Sequence, residues 1–384
     1  VGAFRSFAKG KKVGWLSFGG WINAIIPVLI VPYYSVIGGW VVKYLFEYIR
    51  GNGSKLAEDG YFSGFISNGG ATEICFVIFC MFTLVIIYAG VQNGIERVSK
   101  IMMPILVVLS VIIAIYSVTR PGAIEGVKYF LVPNVKNFSW MTVVAAMGQM
   151  FYSLSIAMGI LVTFGSYMRK DTSIEDSTRN VEIFDTTIAM MAGLMIIPAV
   201  FAFSGGDPDT LQAGPSLMFI TIPKVFANMG FGTAVGILFF VLVLFAAVTS
   251  SIALTESAVS TFEDELGWGR KKATVLTGVI MIALGTLSCL GYGPLDFVKI
   301  IGMQFLDFFD FLTNSVMMPI AALMTSLLVS RVIGVDKIEE EIRHGESAFR
   351  RKKIFVVMIK YLCPIFALII LASSVANAFG WIAM

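Results

Sequence analysis

The chain has 384 residues, 57% of them hydrophobic and 14% charged, with a mean hydropathy of +0.84. A soluble domain carries about 25% charged residues, so a soluble enzyme is excluded, and no nucleophile–base set marks a catalyst. The net charge of +3 is too small and too dispersed for nucleic-acid binding.

In chain order, the apolar runs predict nine crossing segments in an all-α, polytopic membrane bundle. They lie at roughly 13–49, 72–92, 98–118, 139–168, 181–203, 231–262, 271–292, 303–333 and 353–380. The first follows a basic stretch with Arg5, Lys9, Lys11 and Lys12 and no signal peptide. The start at Val1 leads us to expect that the natural beginning lies upstream. Most of the 28 Lys and Arg residues fall in loops on the same side as residues 1–12. That asymmetry predicts a cytoplasmic N-terminal end and an outer C-terminus. Midway along the first segment, Tyr33 and Tyr34 sit away from either interface, and a buried phenol needs a partner.

The second segment holds Cys75 and Cys80, which with Cys289 and Cys363 show no metal or redox spacing. His344, in a charged loop, is the only histidine. The fourth segment carries Gln149, Tyr152, Ser153, Ser155 and Met158, with Gly148 and Gly159 around the serines. Lipid offers hydroxyls no partners, so these must face protein, water or a solute. Two readings stay open: small-residue packing with serines bonding back to their own helix, or an interrupted helix exposing backbone groups to a solute.

The fifth segment contains Asp185. A carboxylate there costs about 2.5–3.5 kcal/mol on insertion scales unless a cation, an arginine or water offsets it. The loop 204–230 holds Pro215 and Pro223 around an apolar stretch and predicts a helical cap too short to span. The sixth segment places Ala246, Thr249 and Ser250 on one helical face. Two hydroxyls and a carbonyl make a neutral oxygen cage suited to a hard monovalent cation; helix–helix hydrogen bonding is the other reading. On the solute-binding and cation-cage readings, both hydroxyl-bearing segments, the fourth and the sixth, would be interrupted. At the inner end of the sixth, Glu263, Asp264 and Glu265 form a charge run, solvated by default. The eighth carries Asp307 and Asp310, the latter near its outer end. The loop 334–353 predicts a solvated, mixed-charge helix.

Together these stretches resemble the neurotransmitter:sodium symporter family, especially its short bacterial amino-acid transporters. The matching text is residues 32–40 around Tyr33 and Tyr34, 94–97, 149–159, 166–170, 185–189, 245–252 with Glu263 to Glu265, and 306–310. The resemblance implies a LeuT-like fold forming one transmembrane transporter domain over 1–384. The nine segments would match the third to eleventh family helices, with the first two outside this sequence. Those two carry part of the family's substrate and sodium sites, so this chain alone is expected to be incomplete for transport.

The function it implies is sodium-coupled symport of a neutral hydrophobic or aromatic amino acid by alternating access in the plasma membrane. A non-transporting scaffold or receptor of the same fold, or an ion channel, is the alternative. By the same resemblance Tyr34 would donate to the substrate carboxylate. Ile30, Tyr152, Ser155, Met158, Ser250 and Leu254 would line its side-chain pocket, with Ser153 alongside. One Na⁺ would take Ala246, Thr249 and Ser250, the other Ser153 and Asp185. Gln149 and Asp310 would belong to the outer gate and Asp264 to the inner one, with Asp264's usual partner in the upstream segment. Asp185 stands where many relatives have a neutral amide, so its fixed charge is expected to do the work of chloride. Ala157 stands where glycine is common and argues for less unwinding. The partners implied are a small-molecule amino acid and lipid; the oligomeric state stays open.

Overall fold

The computed structural model describes residues 1–8, 14–207, 211, 214–346 and 348–381. Lys9, Lys11, Lys12 and the predicted start of the first segment at 13 lie outside the described residues, as do 208–210 and 212–213 in the outer loop. After a short N-terminal helix α1 (Gly2–Ala8) come α2 (Gly14–Ile49), α3 (Gly69–Tyr88) and α4 (Val91–Val118). Then follow α5 (Trp140–Ser153), α6 (Ile160–Ser166), α7 (Ile174–Ser204), α8 (Leu217–Ala227), α9 (Gly232–Leu266) and α10 (Arg270–Leu290). The chain ends with α11 (Phe305–Ile333), α12 (Val335–Gly345) and α13 (Lys352–Ala378). Eight of these helices are long and apolar enough to cross a membrane, and no strand forms among the described residues. The chain is thus a multi-pass, all-helical membrane protein.

The remaining predicted segment, the fourth at 139–168, is present as two shorter helices, α5 and α6, with a non-helical stretch at 154–159 between them. Other boundaries moved outward: α7 starts at Ile174 rather than 181, and α9 runs to Leu266 rather than 262. Both extensions are polar turns, which an apolar-run criterion misses. Ser173 begins α7 by accepting the Asp176 N–H. The predicted cap is α8, and the predicted solvated helix is α12.

The centre of the bundle is α2, which packs most extensively on α9, α3 and α10. Its most apolar window is 67% buried, against 11% for α13, which therefore lies at the periphery of the described bundle. On the C-terminal half of α2, Trp40, Tyr44 and Tyr48 recur every four residues and form one stripe. That stripe meets Phe62, Phe219 and Phe240 edge-on or stacked, with centroids 5.0–5.4 Å apart for Trp40–Phe62, Tyr44–Phe219 and Tyr48–Phe240. Such pairs add about 0.5–1.5 kcal/mol each beyond area burial. The Tyr44 hydroxyl donates to the Phe219 carbonyl at 2.8 Å, fastening α8 to the bundle, and Lys224 of α8 pairs with Asp59 at 2.5 Å.

Candidate functional site

The site is built around the break. Helix α5 ends in a paired turn: the Ile156 N–H donates to the Phe151 carbonyl at 2.9 Å and the Ser155 N–H to the Tyr152 carbonyl at 3.1 Å. This double closure needs a left-handed residue in the position Ser155 occupies, and Ser155 has φ 54°. Ala157 and Gly159 follow with φ 62° and 75°. Only at Gly159 is this free of strain. A side chain there would also meet the Asn23 carbonyl at 2.9 Å and the Ser257 hydroxyl at 3.0 Å. Helix resumes when the Thr163 N–H donates to the Gly159 carbonyl at 2.9 Å. The expectation that Ala157 reduces unwinding is corrected: the turn at 151–156 and the close approach at Gly159 fix the backbone on both sides and outweigh alanine's small helix preference.

Beside the break lies a cavity of about 590 Å³, within the usual range for small-molecule sites. Of the expected residues, Ile30, Tyr34, Gln149, Tyr152, Ser153, Ser155, Met158, Asp185, Thr249, Ser250 and Leu254 all line it. They come from α2, α5, the break, α7 and α9. The Ser153 hydroxyl donates to the Asp185 carboxylate at 2.6 Å, a charge-assisted bond joining the break to α7. The Tyr34 hydroxyl lies beside Ser250. The structure thus brings together residues scattered from 30 to 254.

The stretch at 245–252 differs from expectation. It is uninterrupted helix within α9, with alanines and no Gly or Pro to break it. Thr249 bonds back to its own helix, donating to the carbonyls of Phe245 and Ala246, each at 3.0 Å, while Ser251 accepts from Thr83 of α3 at 3.2 Å. A hydroxyl that donates its proton keeps its lone pairs, so Thr249 still offers oxygen to the cavity. Ala246 does not line the cavity; its carbonyl is held against Thr249.

The expected gate residues separate. Asp310 is one group from the cavity: it accepts from Tyr33 at 3.1 Å and from Asn314 at 2.5 Å, and Tyr152 sits within electrostatic reach of it. Gln149 faces the cavity itself, and no contact joins it to Asp310 among the described interactions. At the C-terminal end of α9, Asp264 lines a second cavity of about 260 Å³ together with Thr163, Ser257 and Ser260. Its neighbour Glu265, rather than Asp264, takes the basic partner: Arg5 of α1 lies 2.6 Å away.

Sequence reading missed one buried charge cluster. Glu256 on α9, 0% exposed, receives both guanidinium arms of Arg270 at 3.0 and 2.5 Å and the Tyr167 hydroxyl at 2.7 Å. Arg270 also donates to the Ile87 carbonyl at 3.0 Å, tying α3, α6, α9 and α10 together. An acid inside the predicted sixth segment was the signal. Also missed were Ile95, Ser99 and Met103, which bring α4 to the cavity wall; alone in an apolar helix, nothing distinguished them.

The oxygen set suits sodium. Hydroxyls and one carboxylate at a helix break are hard donors of low total charge, whereas a divalent ion calls for more carboxylates.

Comparisons agree with this geometry. Residues 61–380 match the family model described as the sodium:neurotransmitter symporter family. The sodium-dependent transporter YhdH of Bacillus subtilis is 36% identical over 332 residues, covering 86% of this chain and 73% of that protein. A sodium-dependent transporter of Haemophilus influenzae is 31% identical over 376 residues, covering 95% and 81%. The crystal structure of MhsT in complex with L-phenylalanine superposes with a TM-score of 0.84 at 34% identity, covering 97% of this chain and 84% of that one. The chain is therefore not an enzyme: it belongs to the sodium:neurotransmitter symporter family, whose members couple sodium to the movement of small molecules across a membrane.

Proposed function

We propose that the protein is a symporter of neutral hydrophobic or aromatic amino acids, driven by two sodium ions and independent of chloride. The observation that carries the reading is the Ser153–Asp185 bond at a broken helix beside a cavity lined by Tyr34, Tyr152 and Met158. A substrate carboxylate would receive the Tyr34 hydroxyl. Its side chain would lie among Ile30, Tyr152, Ser155, Met158 and Leu254, where Met158 adapts to varied shapes. One Na⁺ would sit at Ser153 and Asp185, completed by the substrate carboxylate; the other at Thr249, Ser250 and the Ala246 carbonyl, whose oxygen it would share with the Thr249 hydroxyl. Substrate and ion would then each lower the cost of burying the other, which is the source of coupling. Two sodium ions crossing 100 mV release about 4.6 kcal/mol. The phenylalanine bound by MhsT supports an aromatic substrate.

In this reading the crossing segments take the places of the third to eleventh helices of the LeuT-like fold. Gln149 and Asp310 serve the outer gate and Asp264 the inner, residues 1–12 face the cytoplasm, and the membrane is the plasma membrane. The test is uptake of labelled L-phenylalanine and L-leucine by proteoliposomes of the full-length protein. Uptake should require a sodium gradient and persist when gluconate replaces chloride. Chloride-dependent uptake would overturn the charge argument, and sodium-independent uptake the coupling argument. A scaffold would bind without uptake, and a channel would pass current far above carrier rates.

A further inference from the structure

On the cytoplasmic side, two helices cap one another. Glu346, just past α12, accepts from the Ser173 hydroxyl and from the Glu175 N–H, both at 2.8 Å. Glu175, in the first turn of α7, accepts in return from the N–H groups of Arg350 and Arg351 at 3.0 and 2.8 Å. Those two residues lead into α13. Two turns farther along α7, Glu182 pairs with the Arg351 side chain at 3.0 Å. The two backbones also touch: a side chain at Gly345 would come within 2.6 Å of the Thr172 carbonyl.

A helix start carries unpaired N–H groups and partial positive charge, and carboxylates answer both. An ordinary cap comes from the helix's own preceding residue. Here each carboxylate serves the other segment, so separating them strips charge-assisted bonds from both helix starts at once. The proximity of two acids is unfavourable alone; the two helix dipoles and Arg351 offset it.

The clasp has a direct mechanical line to the site. Between Glu175 and Asp185, α7 is continuous helix, a rise of about 15 Å, and its proline, Pro198, lies beyond Asp185. An axial or lateral shift of the cytoplasmic end therefore reaches Asp185 undiminished. Asp185 in turn must stay within hydrogen-bond reach of Ser153, which it meets at 2.6 Å, to keep its bond.

We infer that Glu175 and Glu346 are positioning residues for the sodium site, holding Asp185 in register with the broken helix through the exchanged caps. The inference rests on the proposed assignment of Asp185 to a sodium ion. It is tested in the purified full-length protein by thermal unfolding across a NaCl titration at constant ionic strength with choline chloride. Sodium itself is the probe, so no substrate needs to be known. Glu175→Ala and Glu346→Ala should each raise the half-saturating sodium concentration about threefold to tenfold, the scale on which lost caps act. Glu346→Gln, which keeps an acceptor oxygen, should restore most of the shift. Should the alanine variants fail to fold, Glu182→Gln removes only the ion pair and should give a smaller rise. Unchanged sodium half-saturation in the folded clasp variants, even with a lower melting temperature, overturns the inference. Asp185→Ala, which removes both carboxylate oxygens, separates the two levels. If it moves sodium half-saturation and the clasp variants do not, only the clasp fails; if it does not, the sodium assignment itself fails.

Discussion

Residues 149–159 and 245–252 have similar vocabularies of small, hydroxyl and apolar side chains, yet one stretch is broken and the other is whole. In the first, Ser155, Ala157 and Gly159 take positive φ and the backbone leaves the helix. In the second, Thr249 satisfies itself against Phe245 and Ala246 and the helix continues to Leu266. The same hydroxyl chemistry therefore serves two purposes. The break supplies main-chain groups freed from helical pairing, and the intact helix supplies a stiff wall of side-chain oxygens. Composition alone cannot tell these apart, because what decides is whether neighbours accommodate the freed backbone. At Gly159 the backbone passes so close to the Asn23 carbonyl and the Ser257 hydroxyl that no side chain fits.

The largest expected effect lies where the intact wall is bolted down. Arg270→Ala leaves the Glu256 carboxylate buried with the Tyr167 hydroxyl alone, and should cost about 3–5 kcal/mol. Unfolding of the purified protein in detergent measures it; a loss below the scale of a surface pair would show that water reaches Glu256. Next is the break itself. Gly159→Ala combines left-handed strain with a close contact and should destabilise by about 1–3 kcal/mol. The opposite substitutions sharpen the contrast. Ala157→Gly should stabilise by about 1 kcal/mol, since glycine takes its positive φ without penalty, whereas Ala247→Gly in the whole helix should destabilise by about 1 kcal/mol. If both glycines act in the same direction, the distinction between the stretches is wrong.

The smallest effect belongs to a surface pair remote from both. Hydrogen bonds from Lys352 and then Arg343 hold the Glu339 carboxyl below its ordinary range. Its folded form is thus favoured above the unfolded pKa of about 4.3, and this contribution is lost as pH falls through the lower folded value. Glu339→Gln should slightly flatten the melting temperature's dependence on pH below that point and leave it unchanged near neutrality.

Much of this was legible beforehand because membranes make sequence patterns loud. The crossing segments announced themselves as apolar runs, and the cavity residues from Ile30 to Leu254 were found by matching short motifs. The continuity of 245–252 was not legible, since a threonine that bonds backwards looks the same in sequence as one that faces an ion. Glu256 was legible and overlooked: it stands inside a predicted span, with its partner, Arg270, only one short loop away. The clasp at Glu175 and Glu346 was not legible at all, because its parts are far apart in sequence and each looks like an ordinary loop charge.

Tyr33 and Tyr34 are consecutive residues of one helix, so their side chains diverge by about 100°. One reaches Asp310 and the other the wall at Ser250. Rolling α2 to withdraw the first phenol would drag the second off its station as well. The Tyr33–Asp310 contact and the chamber beside it therefore cannot be adjusted separately from this side, and any independent movement of that contact must come from α11, the helix that carries the acid.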